Sequence, residues 1–320
     1  MKRKNLSVIA NLLATCTLLT ACGGVTQPVA STEQTEPMKN IYQKTDPAED
    51  DTLNVLMIGA SFCYYYTDEL WGMLDSAGIK ARICNVYYSG CSIQKHWTWW
   101  KNNEANYDFI VVDEKGRHET NLVNLEYCLA QYNWDIISWQ EAPTQIRTEG
   151  VQQHLLTTKT ARTELWGYIM EQFPMSRYFW HQTWASQVGY DRNGYKMETA
   201  EQQQGYHEMI RDFAVAVSEE HALTRVPSGE AWQLARANPA VGDILCNRLK
   251  DGGDFYHDGD IGGGQYLNAC TWFEVITGQS CIGNTFRPNY SLVTQDMSLS
   301  EEMVTALQES AHQAVAEATS

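Results

Sequence analysis

From residue 53 onward the chain alternates short runs of β-forming apolar residues with longer stretches of helical periodicity. Runs at 53–59, 81–87 ("ARICNVY"), 108–113 ("DFIVVD"), 134–139 ("WDIISW"), 177–181 and 223–226 predict strands. Helical patterns predict helices at 67–77, 121–131, 157–172, 199–220, 229–237, 264–277 and 300–318. Strands separated by helices pair in parallel, with the helices covering both faces, so the expected class is an α/β sandwich with a mainly parallel sheet. "DFIVVDEKGRHE" departs from the rule: a β run, a Lys-Gly turn and a second polar run predict a hairpin at one edge. Ligands of open parallel sheets bind beyond the carboxyl ends of the strands. Ser61, Gly90 and Gln140 each lie just past such an end.

The segments before residue 51 set a different expectation. "MKRKNLSVIANLLATCTLLTACGG" has a basic start, an apolar stretch and a small-residue site, which is the pattern of a secretory signal over residues 1–21. "LTAC" resembles a bacterial lipobox, which predicts cleavage before a lipidated Cys22 and attachment to the cell envelope, at the outer membrane or cell surface. An ordinary signal peptide with an incidental cysteine is the alternative. The three basic residues and no acidic ones lie before Cys22, so cleavage takes the net charge from -16 to -19. Residues 22–50, rich in Thr, Gln, Glu, Pro and Ser, cannot bury enough surface to offset ordering and read as a tether. Residues 51–320 remain, about 270 residues, enough for one well-buried domain. The acidic balance argues against nucleic acid and against docking on anionic lipid. Of nine cysteines, seven lie beyond Cys22 and none forms a CxxC pair, so neither zinc nor any cofactor is expected and no disulfide is assigned.

A serine becomes a nucleophile when a base takes its proton and a third group orients that base. Ser61 follows the first strand in "LNVLMIGASF". In the glycine-flanked loop "DGGDFYHDGDIGGGQY", Asp254 and His257 stand three apart, a spacing that brings a carboxylate to one imidazole nitrogen and leaves the other for Ser61. The crowding of Asp251, Asp254, Asp258 and Asp260 keeps a cation site open as the alternative, although an EF-hand spacing is absent. An oxyanion hole needs donors aimed at the developing charge. The amide of Ser61, the amide of Gly90 in "YYSGCSIQKHW" and the side chain of Gln140 in "WDIISWQEAP" are the candidates. A helix cap is the alternative for Ser61, and a lone Gly or Gln after a strand usually carries no chemistry. Their joint order at neighbouring strand ends favours function.

Taken together, "IGASF", "SGCSIQKHW", "WDIISWQ" and "YHDGDIGGGQYLNACTWFEVITG" resemble the SGNH (GDSL-type) hydrolases. More narrowly, they resemble a bacterial lipoprotein branch of that superfamily known mainly as a domain of unknown function, over about residues 52–285. The resemblance implies a three-layer α/β/α sandwich, flavodoxin-like, with a five-stranded, mainly parallel sheet. It implies Ser61 as nucleophile, His257 as general base oriented by Asp254, and Ser61, Gly90 and Gln140 as oxyanion donors. Ala60 stands where the superfamily usually has Asp or Asn, Gln140 replaces the usual Asn, and the loop after His257 is longer.

Aromatic residues crowd the same strand ends. Tyr64, Trp97 and Trp184 are the candidate substrate contacts, since Tyr and Trp faces stack on sugars, although core packing explains such residues equally well. His96 and His181 read as structural histidines. "PSGEAWQLARANP" reads as a loop feeding a helix, with Glu230 supporting its start and Trp232 packing beneath the site. The function expected is a lipid-anchored serine esterase that removes acyl groups, acetyl foremost, from carbohydrate or another small ester. A surface glycan-binding lipoprotein without catalysis is the alternative from a different class, and a lipase or thioesterase is the third.

Overall fold

The computed structural model describes residues 51–189, 191–192, 195–241, 263–288 and 299–319. The chain opens with β1 (Leu53–Gly59), a single 3-10 turn (Ser61–Cys63), α1 (Thr67–Ser76), β2 (Ala81–Tyr87) and α2 (Ile93–Lys101). A hairpin of β3 (Tyr107–Asp113) and β4 (Gly116–Val123) follows, then α3 (Leu125–Leu129) and β5 (Ile136–Trp139). Next come α4 (Pro143–Glu149), α5 (Val151–Ala161), a π-helical turn (Arg162–Trp166), α6 (Gly167–Gln172) and β6 (Arg177–His181). A two-stranded ribbon, β7 (Asp191–Arg192) and β8 (Tyr195–Lys196), precedes α7 (Ala200–His221), β9 (Thr224–Val226), α8 (Ser228–Ala237), α9 (Gly264–Thr277) and α10 (Glu301–Thr319).

The main sheet has seven strands in the order β4-β3-β2-β1-β5-β6-β9. Strands β2, β1, β5, β6 and β9 run parallel, whereas β3 pairs antiparallel with β2 and with β4. The sheet is therefore mixed and seven-stranded rather than five-stranded. The hairpin expected at one edge is joined to the parallel strands through β2, so it extends the same sheet. Its outer strand β4 is exposed along almost its whole length, with only Val123 buried.

Alternation along each strand divides the core in two. Val55, Met57, Ile83, Ile136 and Phe179 face the layer containing α1, α8, α9 and α10. Leu56, Ile58, Cys84, Ile137 and Trp180 face residues of α2, α5, α6 and α7. Both faces of β1 are covered, and Val55 through Ile58 are at most 1% exposed, which is why that strand reads as a continuous apolar run. No helix among the described residues is long and apolar enough to cross a membrane.

Two helical expectations need correction. Over 121–131, β4 continues to Val123 and only Leu125–Leu129 is helical, with Asn124 capping that helix through its side chain. Over 157–172 the helical path starts earlier, at Pro143. Gly150 (φ 79) separates α4 from α5 there.

Candidate active site

Ser61 opens the 3-10 turn directly after β1. Ala60 is extended (φ -115, ψ -157), Cys63 N donates to Ala60 O at 3.1 Å, and Tyr64 N donates to Ser61 O at 3.2 Å. Such a sharp strand-to-turn reversal holds the serine at the end of the sheet. Phe62 packs edge-on against Trp184, with centroids 4.9 Å apart, and Asn85 Nδ2 donates to Cys63 O at 2.7 Å, so the turn is fixed from below and from β2. Burial pushes the Cys63 thiol up to about 12, which leaves it inert beside the serine.

Gln140 follows β5, the strand next to β1, and Ile58 is in register with Trp139. One position on, the Gln140 side chain occupies the space that a side chain on Gly59 would need. A Cβ on Gly59 would lie 2.5 Å from Gln140 Cγ and 2.6 Å from Nε2. Gln140 is 2% exposed, and neither its Nε2 nor its Oε1 has a hydrogen-bond partner among the described residues. A buried amide left unpaired costs about 1–3 kcal/mol. Gly90 lies three residues past the end of β2, in a turn where Cys91 N donates to Tyr88 O at 3.1 Å. Its φ of 65 requires glycine by conformation, since a Cβ there would meet nothing within 4 Å.

The residue after Gln140 was missed by the sequence reading. Glu141 is 1% exposed. One carboxylate oxygen accepts from Ile93 N at 3.2 Å and lies 3.2 Å from His154 Nε2, and the other accepts from Ala142 N at 3.0 Å. His154 Nδ1 in turn lies 3.3 Å from Glu149 Oε2. Burial alone would lower the His154 pKa, but Glu141 and Glu149 together hold it above its ordinary value. Glu141 thus joins the end of β5, the start of α2 just beyond Gly90, and α5. The available signal was an acid placed immediately after an apolar strand, where no solvated face was due, and a histidine thirteen residues on.

The other candidates separate clearly. Tyr64 is half-buried, stacks on Tyr87 at 4.7 Å, and carries the Arg117 guanidinium 4.7 Å from its ring. Trp97 is half-buried and donates from Nε1 to Glu164 at 3.0 Å. Trp184 is 2% exposed and stacks on Trp232 at 4.7 Å with planes 4° apart, a core position beneath Ser61 rather than a surface for substrate. Trp232 is buried as expected, and Glu230 accepts from Arg225 at 2.8 Å. His96 and His181 are both buried, and burial lowers each to about 3, so both are neutral structural groups. Cys22, Asp254 and His257 lie outside the described residues. Among the described residues no group of three or more potential metal ligands is present.

A family model described as DUF4886, a domain of unknown function, matches residues 54–305. A DUF4886 family protein from Bacteroides uniformis is 30% identical, and its structure superposes with a TM-score of 0.70 over 83% of this chain and 95% of that one. Similarity at lower identity extends to a putative GDSL-like lipase from Parabacteroides merdae (17% identity, 70% and 94% coverage, TM-score 0.44). It also extends to Axe2, an acetylxylan esterase from Geobacillus stearothermophilus (12% identity, 70% and 94% coverage, TM-score 0.42). Among curated proteins none matches the chain.

Proposed function

The chain belongs to the DUF4886 family, and we propose that it is a serine esterase acting on small acyl esters, acetyl foremost, carried by carbohydrate. The observation that carries this reading is the Gln140 amide, buried without a partner among the described residues and seated against Gly59, two residues before Ser61. A donor held in that state has its hydrogen bond in reserve for charge that appears only during reaction.

Ser61 Oγ attacks the ester carbonyl while His257, oriented by Asp254, takes its proton. The carbonyl oxygen becomes an oxyanion received by the amides of Ser61 and Gly90 and by Gln140 Nε2. Collapse breaks the C–O bond, and His257 returns the proton to the departing alcohol. Water, deprotonated by His257, then attacks the acyl-serine; the acyl C–Oγ bond breaks, His257 returns the proton to Ser61 Oγ and the carboxylic acid leaves. The basic start, apolar stretch and "LTAC" site support export and a lipid on Cys22, with residues 22–50 as the tether.

The test is hydrolysis of 4-nitrophenyl acetate by the protein and by Ser61→Ala and His257→Ala. Loss of turnover in both variants is expected. Equal rates in all three would overturn the reading, and retained glycan binding would then favour a non-catalytic surface protein.

A further inference from the structure

Helix α2 carries two lysines over two aromatic pairs, and they differ in one respect. Lys101 Nζ lies 5.2 Å from the Trp100 ring and 6.0 Å from the Trp97 ring, and its charge is met by Glu164 at 2.9 Å. Lys95 Nζ lies 5.1 Å from the Tyr88 ring and 5.4 Å from the Trp99 ring. Tyr88 and Trp99 meet edge to face, with centroids 4.7 Å apart and planes at 89°, so they form a corner around the ammonium. No carboxylate meets Lys95 among the described residues. The chain as a whole carries a net charge of -16.

The corner also stands at the site. Tyr88 and Gly90 belong to the same turn, and Ser92, which follows it, caps α2 by accepting from Lys95 N at 3.2 Å. Tyr88 is 38% exposed, so the corner is reached by solvent. Two ring faces cover part of the ammonium and exclude water there, which strengthens any charge contact made on the open side.

We propose that Tyr88, Lys95 and Trp99 form a subsite for a carboxylate-bearing sugar, so that the esterase substrate is an acylated acidic glycan such as an acetylated uronate oligomer. The aromatic corner takes the C–H face of the ring, and Lys95 takes the carboxylate in the place that Glu164 fills for Lys101. This rests on the esterase reading for the acyl group, but the subsite itself is tested by binding alone.

The experiment uses the full chain carrying Ser61→Ala, which cannot turn over its ligand. Calorimetry compares mono-O-acetyl trigalacturonate with mono-O-acetyl xylotriose. The acidic oligomer is expected to bind roughly fivefold or more tightly, the scale of one half-desolvated charge contact. Adding Lys95→Met should bring the affinity ratio to about one, Lys95→Arg should restore it, and raising salt should lower it. Equal affinity for the two oligomers, no binding of either, or a ratio unchanged by Lys95→Met would overturn the proposal. Hydrolysis of 4-nitrophenyl acetate by the unmutated protein reports separately on the esterase reading, so the two can fail independently.

Discussion

Two hydroxyl-bearing regions of this molecule sit past strand ends of the same sheet and differ in how their polar atoms are served. At one, Ser61 stands beside Gln140, whose amide is buried with no partner among the described residues. At the other, His181 is sealed between Ser228 Oγ, 3.0 Å from Nε2, and Tyr66 OH, 3.3 Å from Nδ1. Ser228, His181 and Tyr66 are all at most 1% exposed, and burial lowers His181 to about 3 while raising Tyr66 well above its usual range. A serine next to a histidine is therefore not in itself a catalytic unit. The interior trio has every visible hydrogen-bonding demand met and no room for substrate, whereas the strand-end group keeps an expensive vacancy in its hydrogen bonding. The two serines thus differ in their surroundings: an unmet amide lies near Ser61, and Ser228 has its histidine partner satisfied.

The contrast can be broken most decisively at the two serines. Ser61→Ala should lower ester turnover on the order of 10⁴-fold or more, while Ser228→Ala should leave turnover measurable and act on stability instead. A Ser228→Ala variant as inactive as Ser61→Ala would erase the distinction. Next in size is Trp184→Ala, which removes a buried ring stacked on Trp232 and should cost about 3–5 kcal/mol in denaturant unfolding. Gln140→Ala should lower kcat by roughly 10²–10³-fold without a matching fall in Tm, because the lost amide has no partner to strand among the described residues. A Tm loss with kcat intact would make Gln140 a packing residue. Ser228→Ala itself should cost about 1–3 kcal/mol, since His181 Nε2 is left buried without its partner.

The smallest expected effects concern pH. His154 is held above its ordinary value, so its pairing with Glu141 stabilises the fold fully below about pH 6.5 and is lost as pH rises through the raised pKa. His96 and His181, lowered to about 3 by burial, act in the opposite sense: their contribution is present above about pH 6.5 and is lost as pH falls towards 3. A melting-temperature profile should thus fall on both sides of neutrality. Glu141→Gln should flatten the alkaline limb only, and an unchanged limb would remove the buried pair from the account.

Much of this was legible before any coordinates. Strands β1, β2 and β6 match their sequence runs to the residue, because short β-branched and aromatic runs between helical stretches mark parallel strands. Strand β4, "GRHETNLV", was not legible to its end, since an exposed edge strand needs no apolar face and Leu122 sits at φ 55 with its side chain in solvent. Helix α2 was also hidden: "IQKHWTWWK" is so rich in aromatic residues that it read as the wall of a cleft rather than as a turn-capped helix. Ser61, Gly90 and Gln140 were singled out because they follow strand ends. Glu141 was not, because a buried carboxylate is identified by partners that the folded chain alone brings to it. Aromatic residues misled in one instance, since nothing in the sequence separates Trp184 in the core from Trp97 near the surface.

The absent side chain at Gly59 links two positions eighty-one residues apart into one choice. A methyl group there displaces the long amide at 140, so Gly59→Ala on its own should cripple the hole while barely altering the strand. Shortening the amide by one methylene, as in the double replacement Gly59→Ala with Gln140→Asn, would return the missing volume. A redesign of this scaffold has to move both positions together or neither.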